Sequence, residues 1–188
     1  VDQGAAYFQL QHMLDTRLND ALRYPLKPEN ALIMRITPTD DDAPSQLRYI
    51  DDPKLKFDYS NQQALQIQFT RAHIMSTNVY MPWQGGKMMY IDPAGGGKNG
   101  DETAFCVAGM VNGYVYILDV GGFIGGFDED SLTGLALKAK EWGVQHIRVE
   151  KNFGYGAFEQ MLRPVLALNH VDATVDDDTA IGQKEPRM

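Results

Sequence analysis

The chain has 188 residues, which is enough to bury a hydrophobic core and fits one domain by default. Hydrophobic residues make up 44% and charged residues 22%, as in ordinary globular proteins. The net charge of −8 argues against a basic surface that coats nucleic acid. No apolar run approaches the roughly 20 residues that span a bilayer. The single cysteine, Cys106, cannot form an internal disulfide, and a reducing, intracellular setting is therefore expected.

The N-terminal part of the chain combines one helical pattern with a polar, acidic stretch. Apolar residues within 7–24 recur three and four positions apart, which predicts an amphipathic helix that ends before Pro25. Residues 31–37 predict a short strand, and the acidic residues 38–60, interrupted by prolines, predict a long loop. Residues 62–69 are compatible with either a strand or a helix.

From Lys87 onward the patterns are sharper and predict a sheet with helices. The expected order is strand, strand, strand, helix, strand, helix, strand, at residues 88–92, 103–111, 114–120, 129–142, 145–150, 157–169 and 171–175. Asn112-Gly113 between the second and third strands is the preferred pair for a type I′ hairpin. This order predicts an α/β fold, a mixed sheet with three antiparallel strands and then parallel crossovers, flanked by helices.

Carboxylates end two of these predicted strands. Asp92 closes the first, just before Pro93 and a glycine-rich loop, and Glu150 closes the fourth. If the fourth strand pairs parallel with the first, both carboxylates reach one edge of the sheet, where ligands bind in α/β folds. Mg²⁺ takes oxygen ligands, and a pair of metals can activate water against a phosphodiester. The pattern therefore predicts a metal site at Asp92 and Glu150.

Other residues near this edge are weaker candidates. Asp101, beyond the glycine loop, and Asp119, near the end of the third strand, are second-rank metal ligands. The candidate contacts with phosphate or DNA are Gly96, Gly97, Lys98, Lys151 and Asn152. Plain structural roles stay open, because an aspartate before proline is a common turn former and a Glu150–Lys151 ion pair at the surface contributes little. Asp119 alternates with apolar neighbours, as a structural carboxylate also does.

The segment GGGKNGDET does not fit a phosphate-binding P-loop. That motif, G-x-x-x-x-G-K-[ST], requires glycine at position 92 and serine or threonine at position 99, where the chain has Asp92 and Asn99. A strand rather than a helix is also predicted after the loop, so the sequence gives no support for nucleotide hydrolysis.

Two motifs, YIDPAGGGKNGDET and VEKNFGYG, carry a specific resemblance. Residues 87–168 resemble the nuclease domain of the large terminase subunit of tailed phages, above all the short-tailed phages whose subunit is also called DNA maturase B. The segment FQLQHMLDTRLNDALRYPLK is similar to the linker after the ATPase domain of that family. The resemblance implies a helix-and-linker region at 1–86, following an absent ATPase domain. It also implies a ribonuclease-H-like nuclease core at 87–188, incomplete at its C-terminal end, with Asp92 and Glu150 as the metal ligands of the first and fourth strands.

The resemblance also implies a function. It is that of an endonuclease dependent on Mg²⁺ or Mn²⁺, which cuts concatemeric double-stranded DNA by a two-metal mechanism in the host cytoplasm during virus assembly. The implied partners are DNA, the packaging ATPase domain of the same polypeptide, the small terminase subunit and the portal, without any membrane. The family's third acidic ligand follows the fifth strand on a helix, and we expect it beyond Met188. The alternative is a non-catalytic docking module that contacts DNA, the portal or the motor ATPase.

Overall fold

The structure, a computed structural model, describes residues 30–60, 66–94, 102–150 and 157–178. These residues belong to two compact units, one drawn from 30–35 and 47–74 and the other from 36–46 and 75–178. The predicted helix at 7–24 lies outside the described residues, and the division into domains at residue 86 stays a prediction. No helix among the described residues is long and apolar enough to cross a membrane.

The described residues form ten strands, two α-helices and one 3₁₀ turn at Pro53–Leu55. In chain order the strands and helices are β1 (Leu32–Ile33), β2 (Asp42–Pro44), β3 (Lys56–Ser60), β4 (Gln66–Arg71), β5 (Tyr80–Pro82), β6 (Lys87–Asp92), β7 (Thr103–Val111), β8 (Tyr114–Phe123), α1 (Glu129–Trp142), β9 (Val144–Glu150), α2 (Ala157–Leu168) and β10 (Thr174–Asp178).

The first unit is a small sheet in which β4 pairs antiparallel with β3 and parallel with β1. Phe57 and Phe69 face each other across β3 and β4 with ring centroids 5.8 Å apart, and the Arg71 guanidinium lies 5.0 Å from the centre of the Phe57 ring. The prediction of a loop over residues 38–60 is therefore wrong at Asp42–Pro44 and Lys56–Ser60, which form β2 and β3. The acidic, proline-containing composition of this stretch gives it a low intrinsic strand propensity. β2 and β3 form strands because they pair with strands later in the chain.

The second unit contains the five-stranded sheet, in the order β10-β9-β6-β7-β8. Strands β6, β7 and β8 form an antiparallel meander, β9 runs parallel to β6, and β10 runs parallel to β9. Asn112 and Gly113 join β7 to β8 with φ values of 50° and 79°, the positive values that a type I′ turn requires. The predicted mixed sheet with parallel crossovers is confirmed, as expected from the resemblance to ribonuclease-H-like domains.

Helices α1 and α2 pack on the same face of this sheet. α1 begins where the Asp128 carboxylate accepts the Ser131 N–H at 2.7 Å, and it ends at Gly143, which has φ 61°. α2 continues through Pro164 and buries an apolar stripe of Phe158, Leu162 and Leu166. These stripes share one core with the alternate strand residues Met89, Ile91, Val107, Ile147, Val149 and Val175.

Side chains alternate along each strand, so the other set faces away from α1 and α2. We call this side of the five-stranded sheet the distal face. On the three strands β6, β9 and β10 its residues are Met88, Tyr90, Asp92, His146, Arg148, Glu150, Thr174 and Asp176. The distal face therefore carries both strand-end carboxylates on which the predicted site depends.

Candidate functional site

The register of β6 and β9 brings Asp92 and Glu150 side by side. Ile91 pairs with Val149, and Asp92 and Glu150 are the next residues on these parallel strands. Since neighbouring strands lie about 4.8 Å apart, the two residues are direct neighbours across the sheet. Ile91 is 0% and Val149 2% exposed in the helix-side core, so the residues that follow them turn to the distal face. There Asp92 is exposed and Glu150 is half-buried.

This pair fits a hard divalent cation. Mg²⁺ and Mn²⁺ favour carboxylate oxygens, and Mg²⁺ commonly keeps several waters while one or two carboxylates and a substrate phosphate complete its shell. Side chains on adjacent strands that point the same way can contribute to one such shell. Among the described residues, no group of three or more His, Cys, Asp or Glu side chains could hold a metal. The described part of the chain thus supplies two carboxylates, and their role as ligands stays a prediction.

Strand β10 extends the same level of the sheet. Its residue Asp178 pairs with Glu150, and Asp176 pairs with Arg148. The backbone of Asp178 therefore lies on the side of Glu150 opposite to Asp92. Residues 179–188 are outside the described part of the chain, and the expectation of a third ligand beyond Met188 is not tested by it.

Asp119 lies on the other face of the sheet. It pairs with Val107, which is fully buried beneath the helices. Its Oδ2 accepts hydrogen bonds from Lys138 Nζ at 3.0 Å and from Trp142 Nε1 at 2.9 Å. Hydrogen bonds to Glu141 and to Asp119 raise the pKa of Lys138. The structure does not bring Asp119 to the pair on the distal face, and its contacts are those of a structural carboxylate that ties β8 to α1.

We expect Asp119→Ala to lower the free energy of unfolding by about 1–3 kcal/mol, because the buried Trp142 N–H loses its acceptor. Lys138 adds little, since exposed ion pairs contribute weakly. Chemical denaturation measures the effect, with Asp172→Ala as a control that removes an exposed carboxylate. The affinity of the predicted site at Asp92 and Glu150 for a divalent metal should stay unchanged, and a large loss of that affinity in a folded Asp119→Ala variant would make Asp119 a candidate ligand again.

The remaining predicted contacts, Asp101, Gly96, Gly97, Lys98, Lys151 and Asn152, lie outside the described residues, and their roles stay predictions. A residue that the sequence did not single out secures the chain beside that glycine-rich segment. The Ala94 N–H donates to Thr103 Oγ1 at 3.0 Å, and Thr103 is fully buried. This bond joins the end of β6 to the start of β7 and so fixes the backbone next to Asp92.

The sequence also did not single out the polar residues of β9 on the distal face. Arg148 and His146 precede Glu150 by two and four positions, so all three point the same way. His146 Nδ1 lies 2.8 Å from Thr174 Oγ1 of β10, and Arg148 is exposed. The alternation of a strand could have identified both residues, because every second position before Glu150 in QHIRVE lies on the same face as Glu150.

The amino-acid sequence matches a known protein family. The profile of the family described as "Terminase Bacteriophage T7, Ribonuclease H-like domain" matches residues 91–188. The "Terminase, large subunit" of Enterobacteria phage T3 is 34% identical over 189 residues, which cover 100% of this chain. The chain spans 31% of the length of that relative. The matched residues include both strand-end carboxylates and every element from β7 to β10, and the chain belongs to the ribonuclease-H-like domain family of T7-type phage terminases.

Proposed function

We propose that this domain is the metal-dependent endonuclease of a viral DNA-packaging terminase. Its substrate is the phosphodiester backbone of concatemeric double-stranded DNA, and its metal is Mg²⁺ or Mn²⁺. The observation that carries the proposal is the strand register, which sets Asp92 and Glu150 next to each other at the exposed end of β6 and β9. Membership of the terminase family supports it, since the related phage T3 protein is a terminase large subunit.

In this proposal the two carboxylates hold the metal and the sheet edge admits the DNA. A metal held by these two carboxylates would supply Lewis acidity, both to activate a water and to stabilise the negative charge that develops on the phosphate. In the hydrolysis the water gives up a proton to the solvent as its oxygen forms a bond to phosphorus. The bond from phosphorus to the leaving sugar oxygen breaks, and that oxygen takes up a proton. Asp92 is exposed on the distal face, opposite to α1 and α2, as a carboxylate that meets DNA must be.

A two-metal version of this mechanism requires further negative charge. Two dications about 4 Å apart repel each other strongly unless several oxygens neutralise them. Asp92 and Glu150 supply two carboxylates, and the backbone of Asp178 continues their level onto β10. With Asp92 and Glu150 alone, we expect weak binding of one metal and slow cleavage.

The partners proposed for the whole protein are DNA, its own ATPase domain, the small subunit and the portal, in the host cytoplasm during assembly.

Titration of Mn²⁺ and Mg²⁺ against supercoiled plasmid tests the proposal. We expect slow conversion to nicked and linear DNA that depends on the metal and stops when EDTA is added. The double variant Asp92→Asn/Glu150→Gln, purified in parallel, excludes a contaminating nuclease. Absence of conversion by the folded wild-type chain over the whole metal series would contradict the proposal.

A docking role is the second candidate, and exposed apolar side chains favour it. Val115, Ile117 and Val120 of β8 lie on the distal face with exposed fractions of 66%, 61% and 66%. They pair with Met110, Ala108 and Cys106 of β7 and so continue the surface away from the carboxylates. Apolar side chains grouped on a sheet face are typical of contact surfaces. If docking to DNA, the portal or the motor ATPase is the function, it should survive Asp92→Asn unchanged.

A further inference from the structure

Arg148 lies immediately beside the carboxylate pair on the distal face. It precedes Glu150 by two residues on β9, which sets their Cα atoms about 6.6 Å apart on the same side of the strand. Across the sheet Arg148 pairs with Tyr90 on β6 and with Asp176 on β10. Its side chain is exposed. A flexible arginine at this position can therefore reach a ligand bound over Asp92 and Glu150.

Arg148 is a positively charged residue in an acidic part of the distal face. Asp92, Glu150 and Asp176 make this part of the face acidic, and duplex DNA carries a negative charge for about every 1.7 Å of its axis. Among the strand residues described on this face, Arg148 alone carries a permanent positive charge. The net charge of −8 gives DNA little long-range attraction to the chain, so a local cation matters more.

The chemistry of the side chain matches a phosphate. A guanidinium presents its N–H groups as a planar fork that can donate two hydrogen bonds to one phosphate group. Arg148 already takes part in an interaction within the protein. With five N–H donors it can keep a protein contact while it binds an oxygen of the DNA.

We propose that Arg148 binds a backbone phosphate next to the one that is cut and so positions the strand over Asp92 and Glu150. This inference rests on the proposed function, which makes DNA the ligand of the distal face. It assigns to the protein a phosphate contact that is built into β9 rather than into the loops around the sheet edge.

The salt dependence of DNA binding tests this contact separately from cleavage. Each phosphate neutralised by the protein contributes about −0.9 to the slope of log affinity against log salt concentration. A fluorescein-labelled duplex is titrated with the chain in Ca²⁺ between about 50 and about 200 mM salt, the range in which such contacts are lost. We expect Arg148→Gln to make the slope shallower by about 0.9 and Arg148→Lys to keep the wild-type slope.

The matched control is Lys140→Gln, which removes one exposed positive charge from α1, on the opposite side of the sheet. It should leave the slope unchanged. In plasmid cleavage with Mn²⁺, Arg148→Gln should raise KM about tenfold and change kcat by less than about twofold, as expected when a binding contact is removed.

The opposite pattern would overturn the proposal. If Arg148 only orients Glu150, Arg148→Gln weakens Mn²⁺ binding measured by calorimetry and lowers kcat, while the salt slope stays at the wild-type value. An unchanged slope in Arg148→Gln rejects the phosphate contact whether or not the chain cuts DNA. Absence of cleavage by the wild type with a shallower slope in Arg148→Gln rejects the endonuclease and keeps the contact.

Discussion

Asp92→Asn and Glu150→Gln should each lower metal-dependent cleavage at least about 100-fold, a loss of about 2.7 kcal/mol of transition-state stabilisation. Each change keeps the size of the side chain and removes the charge of one proposed metal ligand. The amide oxygen that remains is a weaker ligand for a hard cation than a carboxylate. Asp92 is exposed and Glu150 half-buried at the end of its strand, so we expect both variants to remain folded.

Rates of plasmid conversion over a Mn²⁺ series measure this effect, and calorimetry measures the metal affinity of the same variants. Asp119→Asn is the matched control, because it removes one carboxylate charge from the same sheet but from the face beneath α1. Its cleavage rate should equal that of the wild type. Full activity of either Asp92→Asn or Glu150→Gln would remove these residues from the site, even if the chain is a nuclease.

The convergence of Asp92 and Glu150 could be predicted because all but one of the steps toward it are local, the exception being the parallel pairing of β6 with β9. The Asn112-Gly113 turn fixes the β7–β8 hairpin, and Asp128 and Gly143 mark the ends of α1. A helix of this length between two strands favours a right-handed parallel crossover, so the fourth strand is expected to run parallel to the first. The observed pairing of β9 with β6 then brings their carboxyl ends together. Turn chemistry, helix caps and crossover handedness therefore predict at which edge of the sheet the two strands end.

The face on which Asp119 lies could not be predicted in the same way. Alternation along a strand separates two faces without showing which of them is packed. A register shift between Val107 and Ala108 in the pairing with β8 also displaces the alternation expected from the hairpin. The partners Lys138 and Trp142 lie 19 and 23 residues further along the chain, so nothing near Asp119 in sequence shows that they bind it.

The burial of Lys87 in the second unit could not be predicted from the sequence either. A lysine at the start of a strand is expected at the surface, yet Lys87 is 6% exposed. Its Nζ donates to the Pro38 carbonyl at 3.1 Å and lies 5.8 and 5.7 Å from the ring centres of Trp83 and Trp142. Burial lowers the pKa of Lys87, and the nearby Asp41 and Asp40 oppose that shift. Only the tertiary fold brings these groups together, because most of them are distant in sequence.

Leu162→Ala should lower the free energy of unfolding by about 2–5 kcal/mol, because it leaves a cavity in the core. Leu162 is 0% exposed and packs in the same core as Ile147 and Val149 of β9, the strand that carries Glu150. Domains of this kind are stable by only about 5–15 kcal/mol, so the change removes a large part of the total.

The same helix provides the control, since Leu168 is 79% exposed. Leu168→Ala deletes the same atoms and should change stability by less than about 0.5 kcal/mol. Tryptophan fluorescence during urea unfolding is a suitable measurement, because both tryptophans of the chain, Trp83 and Trp142, belong to the second unit. Equal denaturation midpoints for the two variants would contradict the packing of α2 against β9. Cleavage by Leu162→Ala should fall with the folded fraction as temperature rises. Asp92→Asn should stay at least about 100-fold less active while fully folded. This difference separates the core that supports the site from the residues proposed to bind the metal.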